Sequence, residues 1–200
     1  KYMKSFGVDQ KTGIDLPYEA KPLSNNLDSG RMIEPVTASF GQGIALTPIG
    51  ITTSLSVLAN GGHTITPHLV DSINYRIGIN DKIEPKKGEQ VIKPETSEEI
   101  TRMLVEVVDK ALLEGRIKKD HYAIAAKTGT AQISGKNGGY YDDRYQHSFF
   151  GYFPAYDPEF LVFLYTVYPK GVDYASHTLT MPFNDIAEFL LSYYNIPPDR

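Results

Sequence analysis

The feature that most constrains the fold is a pair of apolar segments joined by a very short connection. Residues 148–154 and 159–168 are rich in aromatic and β-branched side chains, as strands are, and only residues 155–158 separate them. So short a connection favours an antiparallel hairpin. A further strand is predicted at 122–133, and the apolar period of 182–194 predicts a helix. The sequence therefore predicts an α+β fold, an antiparallel sheet flanked by helices.

Two more helices are indicated upstream of this sheet. Thr47 and Pro48 suit the start of a helix that runs to about residue 59, and its apolar character on most sides predicts that it is buried. Thr96 and Glu99 have the spacing of a capping box, which predicts a helix over about 94–112 with one apolar face.

The remaining segments are predicted to be short strands or polar connections. Residues 66–70 and 72–76 have the composition of short strands, and residues 78–94 are interpreted as a polar excursion. The Gly-, Asp- and Tyr-rich stretch 134–147 is interpreted as a loop that carries a solvated pair of aspartates, Asp142 and Asp143.

Composition excludes several function classes. The net charge is −4 and no basic run is longer than a pair, which argues against a nucleic-acid partner. The sequence contains no cysteine, so thiolate chemistry, disulfides and cysteine metal sites are excluded. No apolar run is long enough to span a bilayer.

The histidines do not have the spacing of a metal site, so neither a metal nor a cofactor is expected. They are interpreted as surface or structural residues: His63, His68, His121, His147 and His177. His147 precedes a strand beside the stretch described next, and is the one that could contact the rim of a pocket there.

The stretch with the clearest chemistry is Lys127-Thr128-Gly129-Thr130, in the middle of the strand at 122–133. Because side chains alternate along a strand, Lys127 and Gly129 share one face and the two threonines share the other. A glycine inside a strand often marks the close approach of a ligand or of another backbone. One cation and two hydroxyls beside that gap suit an anionic ligand that also carries amides.

Taken together, the motifs of this chain resemble the transpeptidase domain of class B penicillin-binding proteins, in the order of that family. The matching segments are Thr12-Gly13-Ile14-Asp15-Leu16-Pro17, Phe40-Gly41-Gln42-Gly43 with Thr47-Pro48, Ala59-Asn60-Gly61-Gly62 with Pro67, Lys127-Thr128-Gly129-Thr130-Ala131-Gln132, and Phe150-Gly151-Tyr152-Phe153-Pro154-Ala155. Each segment is weak evidence alone, but their common order is specific. The resemblance covers nearly the whole chain and implies the fold that this family shares with serine β-lactamases.

Two of the three catalytic motifs of this family are not found in the chain. No serine is followed three residues later by lysine, and the serine–asparagine pair Ser24 and Asn26 lies downstream of the Thr-Gly-Ile-Asp-Leu-Pro segment, where the family motif lies upstream. Residues 1–200 are therefore expected to be the C-terminal part of a single transpeptidase domain, with the nucleophile in an upstream segment. The isolated chain is expected to be inactive.

The resemblance implies roles for the residues of the third motif. In this family a serine forms an acyl-enzyme with a D-alanyl-D-alanine stem peptide and passes the acyl group to an amine of a neighbouring strand. Lys127 and Thr130 would be catalytic, the lysine by holding a second serine and the Thr130 N–H by stabilising the oxyanion. Thr128, Gly129, Thr130 and Gln132 would bind the substrate, chiefly its terminal carboxylate.

The resemblance also implies partners and a location. The expected ligands are the stem peptide and β-lactams, and the expected protein partners are the upstream part of the same domain and membrane-bound cell-wall synthesis proteins. The expected location is the outer face of the bacterial cell membrane, with the anchor outside this chain.

Two alternatives stay open at this stage. The first is a hydrolase related to the serine β-lactamases, which share the Lys-Thr-Gly pattern. The second is a non-catalytic domain, either a penicillin sensor or a scaffold that has lost its nucleophile. The sequence upstream of residue 1 would distinguish them.

Overall fold

The computed structural model describes residues 2–200, which fall into two compact units, residues up to Pro94 and Glu95–Arg200. The first unit contains three α-helices, α1 (Tyr2–Ser5), α2 (Ile33–Ala38) and α3 (Pro48–Ala59), and a 3-10 turn (Asn25–Asp28). It also contains four short strands in two antiparallel pairs, β1 (His63–Thr66) with β4 (Lys86–Gln90), and β2 (Ser72–Asn74) with β3 (Asn80–Lys82).

The Thr12–Pro17 segment is held by two carboxylates that accept backbone hydrogen bonds. Glu19 turns back onto Thr12, whose N–H and hydroxyl lie 2.6 and 2.8 Å from its Oε1. Asp15 accepts from the N–H groups of Leu69 at 2.8 Å and Val70 at 3.0 Å, across more than 50 residues of sequence. Both acidic side chains therefore have structural roles, and the bonds of Asp15 fix the path of the chain after β1.

Helix α3 begins as predicted, but it is less buried than predicted. The Thr47 hydroxyl accepts from the Gly50 N–H at 3.1 Å, Pro48 takes the first position, and Gly62 follows the helix at a φ of +96°. Only Ser54 and Val57 of its side chains are fully buried, and most of the others are half-buried. Composition alone could not show this, because small and apolar residues occur on half-buried faces as well.

The stretch 78–94, interpreted as a polar excursion, is largely exposed but contains two strands that were not predicted, β3 and β4. All residues of these strands are exposed, so their side chains carry no apolar alternation that a sequence could reveal. The strands are held by backbone pairing, with Ile73 opposite Asp81 and Ile65 opposite Lys87.

The second unit contains the predicted antiparallel sheet. Helix α4 (Pro94–Glu106) continues through a π-helical turn (Val107–Ala111) and a 3-10 turn (Leu112–Gly115) into the strands β5 (Ala125–Ser134), β6 (Tyr140–Phe153) and β7 (Phe160–Val167). The sheet order is β5-β6-β7, and helix α5 (Ala175–Tyr193) follows. Three neighbouring antiparallel strands and a C-terminal helix were all predicted, and all are confirmed.

The core of this unit lies between one face of the sheet and α5. Phe149 and Phe153 of β6 pack against Phe183 of α5, at ring-centroid distances of 4.5 and 5.8 Å. On the opposite face, the hydroxyl of the buried Tyr152 lies 2.6 Å from Thr101 Oγ1 of α4. Both faces of β6 are thus covered at this end of the strand.

Several bounds differ from the prediction. The strand expected at 66–70 lies at His63–Thr66 instead, as β1, and β5 begins at Ala125 rather than at residue 122. The stretch 134–147 is not a loop throughout, because β6 already begins at Tyr140. Helix α5 begins at Ala175, and Pro182, interpreted as its first residue, lies inside it. Helix α4 begins at Pro94, as predicted, but Thr96 therefore stands inside the helix and is not its cap. In both helices a start signal was assigned to the wrong residue.

We expect Gly151→Ala to destabilise the second unit. A methyl group at this position would lie 2.6 Å from the Phe183 ring and 2.9 Å from the Ala126 Cβ, in a packed core. Overpacking of this kind costs about 1–3 kcal/mol, which thermal unfolding of the full-length protein would show as a lower melting temperature. Adding Phe183→Leu should recover part of the loss. An unchanged melting temperature in the single variant would contradict the packing.

We expect the Asp15 carboxyl to titrate below its ordinary pKa of 3.8, because the N–H groups of Val70 and Leu69 lower its pKa by stabilising the carboxylate. The folded pKa is depressed, so this contribution to stability is present above pH 3.8 and is lost as the pH falls through the folded pKa. A carbon-detected NMR titration of the carboxyl measures it. A midpoint at or above 3.8 would show that the two bonds do not form in solution.

Candidate active site

The Lys127–Thr130 stretch lies where an edge strand leaves the core. Residues 123–126 are fully buried, whereas Lys127 and Thr130 are exposed and Thr128 and Gly129 are half-buried. Within residues 2–200, β5 pairs with β6 on one side, and its other side is the open edge of the sheet. One end of the strand is therefore fixed by packing, and the other is accessible to a ligand.

The register between β5 and β6 confirms the predicted faces. Thr128 is opposite Phe149 and Thr130 is opposite His147, so both threonines lie on the face that carries α5. Lys127 and Gly129 are opposite Phe150 and Ser148, on the other face.

Two side-chain contacts show which backbone groups of β5 face the open edge. The Ser148 hydroxyl donates to the Gly129 carbonyl at 3.4 Å, so that carbonyl faces β6. In a strand, the N–H and C=O groups of successive residues point to alternate sides. The Thr128 carbonyl and the Thr130 N–H therefore face the open edge. The Lys127 ammonium agrees with this, because it donates to the Thr128 carbonyl at 3.0 Å. The edge thus presents an N–H donor at Thr130, next to a cation.

The Thr130 side chain contacts the beginning of α5. Its Oγ1 accepts from the N–H of Ala175, the first residue of that helix, at 3.1 Å. Tyr174, at the cap position, gives no side-chain cap, so the sheet supplies a partner for one of the helix's terminal N–H groups. A hydroxyl that accepts in this way keeps its hydrogen for a second partner. The positive end of the helix dipole also favours an anion here.

Gly129 provides room for a neighbouring side chain. A Cβ at this position would lie 2.6 Å from Ser148 Oγ, so the glycine lets the serine hydroxyl reach the strand. The close approach that a glycine in a strand suggests is therefore met here by the protein's own serine.

Gln132 lies further along β5 and is engaged within the hairpin. Its amide Nε2 donates to the Tyr141 carbonyl at 3.3 Å, and it is opposite Tyr145 in the register. The structure thus brings Lys127, Thr128, Gly129 and Thr130 together at the edge and places Gln132 where β5 joins the turn.

Two residues of β6 near these positions were not singled out as site residues. Arg144 lies over the rings of Tyr141 and Tyr168, with its guanidinium 4.1 and 5.1 Å from the two centroids. His147 is fully buried, and its ring nitrogens contact Thr178 Oγ1 at 2.9 Å and the Asp173 carbonyl at 3.1 Å. The sequence suggested that His147 could contact the rim of a pocket, but the structure buries it under α5. The contact of Arg144 with Tyr168 and both contacts of His147 involve the segment after β7, so the local sequence gives no signal for them.

The other polar residues that were considered give no indication of a second functional site. Asp142 and Asp143 are exposed, as expected of a solvated pair, although they lie in β6. Among residues 2–200 no group of three histidine, cysteine or acidic side chains could hold a metal ion. A serine–asparagine spacing overlooked in the sequence, at Ser72 and Asn74, lies in β2, downstream of the Thr12–Pro17 segment like the rejected pair.

A cavity of about 350 Å³ lies in the first unit, among residues of α1, α3 and the β1–β4 ribbon. Two of its polar lining groups already have partners, since Lys4 is paired with Asp28 and Thr12 is bonded to Glu19. The lining groups of this cavity therefore do not indicate a catalytic or ligand-binding site.

With this geometry established, comparison with known proteins assigns the class. The chain belongs to the family of the penicillin binding protein transpeptidase domain, whose description it matches over residues 1–188. It is 36% identical over 191 residues to stage V sporulation protein D of Bacillus subtilis (strain 168), covering 91% of this chain and 28% of that protein. It is 30% identical over 204 residues to the penicillin-binding protein PbpB of Mycolicibacterium smegmatis, covering 98% and 32%.

Solved structures agree with this assignment. The crystal structure of penicillin binding protein 3 from Mycobacterium tuberculosis in its apo form matches with a TM-score of 0.85 at 25% identity, over 100% of this chain and 47% of that one. The same protein complexed with aztreonam matches with a TM-score of 0.86, over 100% and 46%. The chain thus spans less than half the length of these structures, and about a third or less of the two curated relatives. No helix among residues 2–200 has the length and apolar character needed to cross a membrane.

Proposed function

We propose that this chain is the C-terminal part of a peptidoglycan D,D-transpeptidase domain and supplies one wall of a serine acyl-transfer site. The observation that carries the proposal is the set of donors at the open edge of β5: the Thr130 N–H, the Thr130 hydroxyl and the Lys127 ammonium. Such a set suits a ligand with a carboxylate and a carbonyl that becomes an oxyanion. The names of the relatives favour this function over a β-lactamase or a sensor.

The Thr130 N–H is the proposed oxyanion donor. It belongs to a peptide unit whose carbonyl is held in the sheet, so its direction is fixed before any ligand arrives. A preorganised donor stabilises a developing negative charge without reorganisation, which is the main source of catalysis in acyl transfer.

The hydroxyls of Thr128 and Thr130 are the proposed carboxylate ligands. Both lie on the same face of β5, and the Thr130 hydroxyl lies at the beginning of α5. Hydrogen bonds to an ionised carboxylate are about twice as strong as neutral ones. Lys127 adds the positive charge and holds the second serine of the family. Gly129 leaves room for the Ser148 side chain beside the strand, and Gln132 supports the far end of the pocket.

The proposed reaction has two steps. A serine of the upstream segment adds its oxygen to the carbonyl carbon of the penultimate D-alanine, and its proton passes to a neighbouring base. The C–N bond then breaks and the terminal D-alanine leaves with a proton. In the second step an acceptor amine attacks the ester, forms the cross-link and returns the proton to the serine. A β-lactam follows the first step only, because its ring opens and no leaving group departs.

The proposed function implies which partners the domain has and where it acts. The ligands are stem peptides ending in D-alanyl-D-alanine and β-lactams, and the upstream part of the same domain completes the site. Since peptidoglycan lies outside the cytoplasmic membrane, the domain would act on the outer face, beside other cell-wall synthesis proteins.

We expect Lys127→Ala to slow acylation by a fluorescent penicillin in the full-length protein. Losing one preorganised contact to the transition state typically costs about 10²- to 10³-fold in rate. Lys136→Ala is a matched control, because it removes the same charge from an exposed position in the turn of the same hairpin. Equal rates for wild type and Lys127→Ala, with both proteins folded, would remove Lys127 from the site.

We also expect residues 1–200 alone to form no covalent adduct with penicillin. No serine in the chain has a lysine three residues later, so the activated nucleophile has to come from upstream. Intact-mass measurement after incubation reads the result, and the full-length protein serves as the positive control. A stoichiometric adduct on the isolated chain would show that a nucleophile within these residues has been missed.

A further inference from the structure

The buried histidine beneath the open edge has no part in the chemistry proposed so far. His147 is fully buried on β6, directly opposite Thr130, and both side chains lie on the face that carries α5. Residues directly opposite in an antiparallel pair have Cβ atoms about 4.5–5.5 Å apart. His147 is therefore the nearest cross-strand neighbour of the threonine that we assign to carboxylate binding.

The hydrogen bonds of His147 define how the ring is used. A carbonyl oxygen can only accept, so Nε2, 3.1 Å from the Asp173 carbonyl, carries a proton. The other ring nitrogen, Nδ1, lies 2.9 Å from the Thr178 hydroxyl. One imidazole thus bridges two points of the 173–178 segment, the residue two before α5 and the fourth residue of the helix.

The same segment determines how Thr130 is oriented. Between the two points that His147 holds lies Ala175, whose N–H donates to Thr130 Oγ1 at 3.1 Å. With one lone pair engaged there, the hydroxyl hydrogen is directed away from the helix. If the segment shifted, this bond would lengthen, and the hydroxyl would be able to turn toward other partners.

We propose that His147 is a positioning residue for carboxylate recognition. It fixes the first turn of α5 on the sheet, so that the Ala175 N–H holds Thr130 with its hydroxyl hydrogen directed toward the carboxylate of a donor peptide or β-lactam. This inference rests on the proposed function, because it concerns the same site. It adds a residue that touches neither the ligand nor the reacting atoms.

The test measures carboxylate preference in the full-length protein. Second-order acylation rate constants are compared for a penicillin and for its methyl ester, and their ratio is the preference. We expect His147→Leu, which removes both ring bonds, to lower this ratio about tenfold, as expected for a weakened hydrogen bond to a charged group. A general loss of stability would slow both compounds equally and leave the ratio unchanged.

Three further variants keep the proposal falsifiable if the leucine variant folds poorly. His147→Gln keeps an N–H near the Nε2 position and His147→Asn keeps a polar group near Nδ1, so each should retain more of the preference than leucine does. Thr178→Val removes the Nδ1 partner and should lower the ratio in the same direction. His177→Leu is the matched control, since this exposed histidine lies in the same turn and should leave the ratio unchanged.

A double-mutant cycle tests whether the effect passes through Thr130. In a Thr130→Val background, adding His147→Leu should lower the ratio no further, because the hydroxyl that it positions is already absent. A ratio that stays at the wild-type value in His147→Leu, or falls by the same factor in both backgrounds, would overturn the inference. A wild-type protein that shows no acylation, or no preference for the carboxylate, would instead overturn the proposed function and the inference with it.

Discussion

The structure of the second unit depends on the register between β5 and β6. A slip of one residue would turn every side chain of β5 to the other face, placing Lys127 toward Phe183 and removing both threonines from the helix side. Two close contacts hold the register. Gly151 faces Ala126 under the Phe183 ring, and Gly129 faces Ser148, and at both positions a Cβ on the glycine would clash with its neighbours.

Because of this register, the single strand β5 connects the core to the open edge of the sheet, where the donor groups are exposed. Residues 123–126 are fixed by complete burial, and the donors begin at the next residue. Rigid support directly beside exposed donors is what preorganisation requires, since donors that are already oriented need no rearrangement during the reaction. The buried hydroxyl pair of Tyr152 and Thr101 extends this support to α4, on the other face of the sheet.

The sequence predicted the parts of this arrangement that local pattern determines. The strands, the alternation along Lys127–Thr130 and the C-terminal helix follow from apolar period and a short connection. The beginning of β6 did not follow, because residues 140–146 are polar and their strand is held by backbone pairing. The start of α5 was missed because Pro182 resembles a helix start, although it lies inside. The partners of the buried His147 ring are Asp173 and Thr178, which no local pattern links to it.

The position of Lys127 addresses a difficulty that every open sheet edge has. Unpaired N–H and C=O groups invite another strand, and proteins often protect such edges with charged side chains. Here the ammonium donates to the Thr128 carbonyl, so the acceptor that a foreign strand would use is already occupied by a cation. An extended peptide can compete for this edge only if it offers something to the cation in return. Under the proposed function a chain ending in a carboxylate does so, because Lys127 adds positive charge near the threonine hydroxyls that bind the carboxylate, while the chain's hydrogen-bonding groups pair with the edge. Under the proposed function, the same lysine would disfavour indiscriminate strand addition and favour anionic peptide ends.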